Sequence, residues 1–237
     1  MNNILQILRE QKKSKLKGNL YHNIQIKFSY NTNCIEGSQL SEEEIRHIFE
    51  NNTIINNERI INVDDIIETT NHFYLFDYML DNADIQISED MIKEYHNILK
   101  RGTSDERKDW FNVGDYKKLV NEVGGIETTK PSDVSKETKL LLEWYYNLSK
   151  VDLEDIIEFH YRFERIHPFQ DGNGRVGRII MFKECLKHNI TPFIVDEKHK
   201  LFYYRGLKEY TNEKGWLINT IKDSQDEFIK LIEQFLD

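Results

Sequence analysis

The chain has 237 residues, of which 39% are hydrophobic and 31% charged, and its formal net charge is −9. This length allows one domain with a sizeable core, or one domain with a helical extension. The excess of acidic side chains argues against a nucleic-acid partner, because binding to phosphates needs an excess of cations. No signal peptide and no long apolar run is visible, so we expect no membrane association and a cytoplasmic location.

The composition indicates an all-α fold class. Helix-forming residues are common, only three prolines occur, and the alternation of polar and apolar residues that is typical of strands is scarce. The two cysteines, Cys34 and Cys185, lie far apart in the sequence, each among apolar neighbours. We therefore predict two buried free thiols.

Most of the chain shows apolar residues at helical spacing. The segments outside the central motif that we predict to be helical are residues 4–17, 21–34, 41–51, 63–82, 88–100, 136–150, 201–210 and 217–236. Ser41 opens the third of these, with Glu44 three residues later, which is the pattern of a capping box. His72 and His96 lie on these helices without a partner at metal-binding spacing, so we predict structural roles for both.

The second predicted helix ends in Thr32-Asn33-Cys34-Ile35-Glu36-Gly37. Thr32 and Glu36 are four residues apart, so they share one face of the helix. Gly37 would end the helix as its C-cap. Such a spacing often arises by chance, and a solvated helix end is the alternative interpretation.

Residues 114–130 are the one stretch with strand character. Short β-prone runs at residues 118–120 and 126–129 flank a segment that contains Gly124-Gly125. Two adjacent glycines between such runs predict a β-hairpin. The alternative is an ordinary loop before the next helix.

The densest cluster of chemically active side chains is residues 167–178, His-Pro-Phe-Gln-Asp-Gly-Asn-Gly-Arg-Val-Gly-Arg. Apolar residues at helical spacing precede and follow it, so we expect a sharp loop between two helices. Unpaired N–H groups at the start of the second helix attract an anion, and Gly172 and Gly174 let the backbone approach a phosphate closely. Arg175 and Arg178 share a helical face and suit a di- or triphosphate.

Three other side chains of this stretch suit phosphate chemistry. His167 titrates near neutral pH and can take a proton from an attacking hydroxyl. Asp171 offers hard oxygen ligands to Mg²⁺, and Asn173 can contact a phosphate oxygen or fix the loop. Phe169 is predicted to be a core anchor, and His160, on the preceding helix, a packed helix residue.

Residues 167–178 resemble, position for position, the HPFx(D/E)GN(G/K)RxxR signature of Fic domains. The resemblance implies a helical bundle of the Fic fold with a small β-hairpin flap, and an enzyme that transfers AMP from ATP to a hydroxyl side chain of a target protein. Gly174 favours nucleotidyl transfer over phosphorylation, because Doc-type kinases of the same superfamily carry Lys at that place. The roles that the resemblance implies are general base for His167, Mg²⁺ ligand for Asp171, phosphate contact for Asn173, β-phosphate contact for Arg175 and γ-phosphate contact for Arg178.

The resemblance also covers the end of the second helix. Thr32, Glu36 and Gly37 look like the (S/T)xxxE(G/N) inhibitory motif that accompanies many Fic domains. Its place before the core implies the class with an N-terminal inhibitory helix, class II. Glu36 would then pair with Arg178 and take up the guanidinium that the γ-phosphate needs.

The rest of the predicted organisation follows the same resemblance. The flap, about residues 114–130, would dock a segment of the target by strand addition, and Tyr204 would line the adenine pocket. The chain would comprise an N-terminal helical region with the inhibitory helix, residues 1–60, and a Fic domain with a C-terminal helix, residues 61–237. The core of that domain would span about residues 88–210. We expect no winged-helix DNA module after it.

Two other functions stay open. A Fic protein whose inhibitory glutamate orients a water runs the reaction backwards and removes AMP from a modified target, and Glu36 and His167 suit both directions. The third hypothesis is a binding module that senses ATP with little catalysis, against which the intact His167 and Asp171 argue. The expected partners are ATP with Mg²⁺ and a target protein, and the sequence is compatible with self-modification and with a homodimer.

Overall fold

The computed structural model describes residues 4–54 and 59–236. In this part of the chain ten α-helices and one two-stranded hairpin form a bundle, which confirms the predicted all-α class with a small β-hairpin. The elements are α1 (Ile4–Ser14), α2 (Leu20–Ile35), α3 (Glu42–Asn51), α4 (Val63–Asp81), α5 (Glu89–Lys100), β1 (Glu122–Val123), β2 (Ile126–Glu127), α6 (Val134–Tyr146), α7 (Leu153–Ile166), α8 (Asn173–Lys187), α9 (Lys200–Glu209) and α10 (Gly215–Leu236). Residues 1–3 and 55–58 of the predicted N-terminal region, and residue 237, lie outside the described residues. None of the described helices is long and apolar enough to cross a membrane.

Reciprocal side-chain caps mark the start of α3 and of α7. The Ser41 hydroxyl accepts a hydrogen bond from the Glu44 N–H, and the Glu44 carboxylate accepts one from the Ser41 N–H. The predicted capping box of α3 is therefore confirmed. Asp152 and Asp155 form the same reciprocal arrangement at the start of α7. Because such a cap satisfies the free N–H groups of the first turn, it fixes the start of α7 at Leu153.

The end of one predicted helix and the burial of one cysteine need correction. The predicted helix over residues 136–150 ends at Tyr146, because the side chain of Asn147 donates to the Glu143 carbonyl (2.9 Å) and caps the last turn. The two cysteines are free, but only Cys185 is buried. Cys34 is half-buried, because it lies near the end of α2, where its Sγ contacts the Leu40 carbonyl oxygen at 3.7 Å.

The helix α8 lies at the centre of the bundle, and nearly all of its side chains are buried. It packs against α7 and against α2, α4 and α5. Phe28 of α2, Phe76 of α4 and Phe182 of α8 form one cluster, with ring centroids 5.3 to 5.9 Å apart. Phe28 precedes and Phe76 follows the boundary predicted between residues 60 and 61, so the two predicted regions share a core. The division of the chain into residues 1–60 and 61–237 stays a prediction.

The hairpin forms around the two predicted glycines. The strands β1 and β2 pair antiparallel, with Val123 opposite Ile126. Gly124 and Gly125 make the turn with φ angles of 59° and 78°. Both angles are positive, as a two-residue turn that matches strand twist requires, and this conformation favours glycine.

The first strand begins later than predicted, since residues 118–120 form no strand in the described structure. The Leu119 N–H donates to the side-chain oxygen of Gln170 (3.2 Å), and the Asn121 side chain donates to the Phe169 carbonyl (3.2 Å). The stretch before β1 is therefore bound to the loop between α7 and α8. This anchoring places the hairpin next to that loop.

Candidate active site

The loop between α7 and α8 takes its shape from two left-handed residues and a buried aromatic stack. His167 (φ 50°) ends α7, and Gly172 (φ 80°) precedes α8. A side chain at Gly172 would meet the steric penalty of a positive φ, which glycine avoids. Phe169 is buried, as predicted, and stacks on the ring of His96 with centroids 4.0 Å apart. The loop is therefore shaped by its own packing.

Asn173 is the first residue of α8 and binds back to this loop. Its Oδ1 accepts a hydrogen bond from the Phe169 N–H (2.8 Å), and its Nδ2 donates to the Phe169 carbonyl (2.9 Å). Its Nδ2 also lies 3.3 Å from Nδ1 of His167. The amide thus fixes the loop and orients the imidazole, whereas a contact between Asn173 and a phosphate stays a prediction.

His167 has the protonation state that a general base needs. Burial and then the positive charge of Lys117 lower the pKa of His167 to about 4, although Glu36 and Asp171 act in the opposite direction. The ring is therefore neutral at pH 7. A neutral imidazole can accept a proton from a hydroxyl group that is brought within hydrogen-bond distance.

Arg178 is buried and bound to the C-terminal end of α2. Its Nε donates to the Thr32 hydroxyl (2.8 Å), and its Nη2 donates to the Thr32 carbonyl (3.1 Å) and to Oε1 of Glu36 (2.5 Å). Burial lowers the pKa of Arg178, but the Glu36 carboxylate outweighs this effect and the pKa is raised. Gly37 (φ 101°) follows the helix end. The structure thus brings Thr32 and Glu36, which share a helical face as predicted, onto one guanidinium.

The Glu36 carboxylate touches the first turn of α8. A Cβ atom added to Gly174 would lie well under 3.0 Å from Glu36 Oε1 and 2.9 Å from Arg178 Nη1. Free N–H groups and the helix dipole favour negative charge at this position. A carboxylate of the chain itself therefore lies where the sequence predicts that a phosphate binds.

Asp171 and Arg175 belong to a charge cluster behind the loop. Arg175 is buried, its Nη1 pairs with Glu68, and its Nη2 donates to Oδ2 of Asp171 (3.1 Å). The Lys100 ammonium donates to the same Oδ2 (2.7 Å) and pairs with Glu68 as well. Burial would raise the pKa of Asp171, but Arg175 and Lys100 outweigh it and hold this pKa well below its usual range.

A cavity of about 820 Å³ brings most of the predicted site residues together. Its walls come from the loop before α8, from α9 and from the hairpin. The predicted site residues that line it are Glu36, His167, Asp171, Gly172, Asn173, Gly174, Arg178 and Tyr204. Thr32 lies behind this lining, and Gly37 and Arg175 line a smaller polar cavity of about 300 Å³. A contact between Arg175 and the β-phosphate therefore stays a prediction.

The two adjacent tyrosines of α9 have different environments. Tyr203 is buried, and its hydroxyl lies 2.6 Å from Nε2 of His160, which is a packed helix residue as predicted. Tyr204 is partly exposed and lines the cavity, and its hydroxyl donates to the Ile35 carbonyl at the end of α2 (3.0 Å). The role of Tyr204 in the adenine pocket stays a prediction.

Lys117 is a site residue that no sequence motif indicated. It is buried at the base of the hairpin, and its Nζ donates to Oδ1 of Asn121 (2.7 Å) and to Oγ1 of Thr128 (2.6 Å). Burial lowers the pKa of Lys117 to about 8. Its N–H also donates to the Pro168 carbonyl (2.9 Å), so Lys117 joins both ends of the hairpin to the loop of His167.

Glu164 and His96 also contribute to the site, although no sequence motif indicated this role for either residue. Glu164 lines the cavity, and burial together with the Glu36 charge raises its pKa to about 8. His96 is buried, and burial lowers its pKa to about 3. Its Nδ1 accepts a hydrogen bond from the Gly114 N–H (2.9 Å), so its Nε2 carries the proton and donates to the Asp171 carbonyl (3.2 Å). The predicted structural role of His96 thus includes holding the backbone of Asp171.

Asp171 has the chemistry that Mg²⁺ needs. Its side chain is 48% exposed and lines the large cavity, so a hard carboxylate oxygen is accessible from the place where phosphates are predicted. Glu68 and Asp105 also offer carboxylate oxygens within 4.8 Å of an Asp171 oxygen. The exposed carboxylate of Asp171 therefore fits the predicted cation, whereas the oxygens of Glu68 and Asp105 are paired with Lys100.

Comparison with known proteins agrees with this fold and loop. The profile of the Fic/DOC family matches residues 86–185. The protein adenylyltransferase fic-1 of Caenorhabditis elegans is 26% identical over 184 residues, which cover 76% of this chain and 35% of the relative. The protein adenylyltransferase Fic of Aedes aegypti is 24% identical over 188 residues, which cover 77% of this chain and 36% of the relative. The chain thus spans about a third of the length of these curated relatives.

Solved structures of Fic-domain proteins have the same fold as this chain. A Fic domain containing signaling protein from Bacteroides thetaiotaomicron superposes with a TM-score of 0.75 over 98% of this chain and 94% of its own, at 19% identity. The family match includes all twelve residues of the central motif. The match to the Fic/DOC family thus lies in residues 86–185, and the curated relatives and the shared fold support a Fic-domain protein.

Proposed function

We propose that the chain is a protein adenylyltransferase that transfers AMP from ATP to a tyrosine, serine or threonine hydroxyl of a target protein. The observation that carries this proposal is that His167, Asp171 and Arg178 line one cavity around the N-terminus of α8, with the hairpin at its rim. The names of the curated relatives, which are protein adenylyltransferases, support it. In this proposal the triphosphate lies over residues 172–174.

The reaction is an in-line displacement at the α-phosphorus. The hydroxyl oxygen of the target forms a bond to that phosphorus, the bond to the oxygen that bridges the α- and β-phosphates breaks, and pyrophosphate leaves. The hydroxyl proton passes to His167, whose low pKa keeps its ring neutral and ready at pH 7. The N–H groups of the first turn of α8 and the Arg178 guanidinium stabilise the charge that develops on the phosphates.

Mg²⁺ would be held by Asp171 and would neutralise phosphate charge when it is bound. The Arg178 guanidinium would contact the γ-phosphate, and Arg175 the β-phosphate. The hairpin would dock the target by strand addition, and its attachment to the loop through Lys117 would set the height of the target hydroxyl above His167. Tyr204 would contact the adenine.

We further propose that the enzyme is autoinhibited. Glu36 uses the Arg178 guanidinium and lies against Gly174, so a γ-phosphate and the Glu36 carboxylate compete for the same charge and the same space. ATP that binds beside an engaged Glu36 would lack the pose for in-line attack. Thr32 supports this state, since it holds the same guanidinium through its hydroxyl and its carbonyl.

The test is transfer of label from ATP that carries the label on its α-phosphate. We expect Glu36→Gly to raise self-labelling, or labelling of an added target, by about ten-fold or more, since a charge-assisted contact is worth about 1.5–3 kcal/mol. Adding His167→Ala should remove the gain, because a general base contributes about 10²–10⁴-fold. Label that persists without His167 would refute its role as the base. No gain on removing Glu36 would refute the autoinhibition.

The two other hypotheses predict different results. If the chain removes AMP, wild-type protein should release AMP from the labelled product, and Glu36→Gly should lose this release. If the chain only senses ATP, it should bind nucleotide without label transfer, even after Glu36 is removed. Self-modification, a homodimer and a cytoplasmic location remain expectations from the sequence.

A further inference from the structure

Four side chains next to the loop between α7 and α8 form a closed ring in which negative and positive charges alternate. Asp171 is bonded to Lys100, Lys100 to Glu68, Glu68 to Arg175, and Arg175 back to Asp171. We call these four residues the charge ring. They come from α4, α5 and the α7–α8 loop with α8, so the ring joins three parts of the bundle.

The charge ring contains its own cation at the place that would otherwise suit a metal. Glu68, Asp105 and Asp171 offer oxygens within 4.8 Å of one another, which is close enough for shared ligation. The Lys100 ammonium, however, is bonded to all three carboxylates, at 2.6 Å to Asp105 and 2.7 Å to Asp171. A metal ion has no place between these carboxylates.

The geometry fixes one oxygen of Asp171. Both cations of the charge ring donate to Oδ2, at 2.7 Å from Lys100 and 3.1 Å from Arg175. His96 holds the backbone carbonyl of the same residue. The Asp171 side chain is nevertheless 48% exposed and lines the large cavity, whereas the Lys100 side chain is only 2% exposed. The Asp171 carboxylate is therefore bonded to the protein through Oδ2 and exposed to the large cavity.

We propose that Lys100 and Glu68 are positioning residues, which hold Asp171 by Oδ2 so that Oδ1 faces the cation of a bound nucleotide. Glu68 is needed because it pairs with both Lys100 and Arg175. Without its negative charge, these two cations would interact more strongly with Asp171 and reduce the attraction of Asp171 for a metal ion. This inference rests on the proposed nucleotide site. It concerns binding of the cation with ATP and does not depend on transfer of AMP.

The test is a titration of ATP by calorimetry in the Glu36→Gly background, once with Mg²⁺ and once with EDTA. We expect Glu68→Gln, which keeps the side-chain shape, to weaken binding of MgATP about ten-fold, as loss of residues that orient metal ligands commonly does. Binding of metal-free ATP should show no such loss. Glu184→Gln is the matched control, because Glu184 is a buried and paired carboxylate on the far part of α8, and it should leave both affinities as they are.

A double-mutant cycle separates positioning from general support of the fold. If Glu68 acts through Asp171, Glu68→Gln should have no further effect on MgATP affinity once Asp171→Asn is present. If Glu68→Gln folds poorly, Glu68→Gln combined with Lys100→Met removes one negative and one positive charge with little change of volume, and should show the same loss that depends on Mg²⁺.

Three results would overturn the inference. They are an equal loss with Mg²⁺ and with EDTA, a loss that persists in the Asp171→Asn background, and binding of MgATP by Glu68→Gln as tight as in its parent. Failure of the proposed function looks different. In that case label transfer is absent from every variant, while the difference between MgATP and metal-free ATP still reports on the charge ring.

Discussion

Gly174→Ala should release Glu36 from α8 by sterics alone. The added Cβ would lie well under 3.0 Å from Glu36 Oε1, which real Cβ contacts essentially never show, and 2.9 Å from Arg178 Nη1. Gly174 has an ordinary helical backbone without a positive φ, so alanine fits the chain itself. The Cβ and an engaged Glu36 therefore exclude each other, and Glu36 is the side chain that can move, since it is 27% exposed.

The size of the effect follows from the contact that is lost. A charge-assisted hydrogen bond contributes about 1.5–3 kcal/mol, which corresponds to roughly ten- to a hundred-fold in the ratio of engaged to released Glu36. Alanine in place of glycine within a helix returns about 0.5–1 kcal/mol. The free energy of unfolding should thus fall by about 1–2 kcal/mol, while transfer of AMP rises by about ten-fold or more.

The assay is the same label transfer, with melting temperature measured in parallel. A protein of this size loses about 2–4 °C per kcal/mol, so we expect a melting temperature lower by about 2–8 °C. Gly215→Ala is the control, because Gly215 opens α10 and its Cβ would meet only the exposed carboxylate of Glu213, at 2.8 Å. Transfer at the wild-type level would refute the reasoning. So would a Glu36→Gly and Gly174→Ala double variant that transfers less than Glu36→Gly alone, because the Cβ would then obstruct the phosphate.

Two more predictions follow from the loop and the hairpin. Because burial disfavours the charged imidazole and lowers the pKa of His167 to about 4, kcat/KM of the Glu36→Gly variant should stay level between about pH 7 and pH 6, below the pKa values of about 8 of Lys117 and Glu164; a fall centred near 6.5 would contradict this. Lys117→Met should leave the affinity for ATP unchanged and lower transfer to a target several-fold, because it frees both ends of the hairpin. Lys118→Met, an exposed neighbour, is the control, and equal effects of the two changes would contradict the anchoring role.

Much of the fold could be predicted because its signals are local. A helix shows its apolar face within a few turns, and a cap such as Ser41 with Glu44 lies within four residues of sequence. The loop before α8 was predictable for the same reason, since Gly172 and its neighbours carry their conformational preferences with them. The Gly124-Gly125 turn belongs to this class too.

The site residues that the sequence did not indicate act over long separations. Glu68 meets Arg175 from 107 residues away, and Lys100 meets Asp171 from 71 residues away. On its own helix each of these residues resembles a surface charge, because nothing nearby shows that it is buried. The late start of β1 has the same cause. Leu119 sits in a β-prone run, but its N–H is bound by Gln170, on the loop before α8.

The two arginines of the central motif are both neutralised by a carboxylate, and the difference between their partners explains why only one pair suits regulation. Glu68 lies within a helix, is 11% exposed and is shared by Arg175 and Lys100, so its removal would leave two buried cations that both pair with Asp171. Glu36 caps the end of α2, is 27% exposed and binds Arg178 alone, while Thr32 keeps the guanidinium hydrogen-bonded after Glu36 leaves. Under the proposed function, a phosphate would therefore displace Glu36 and bind Arg178 in its place. A phosphate that binds Arg175 would have to compete with Glu68 and Asp171, which pair with Arg175 in the charge ring.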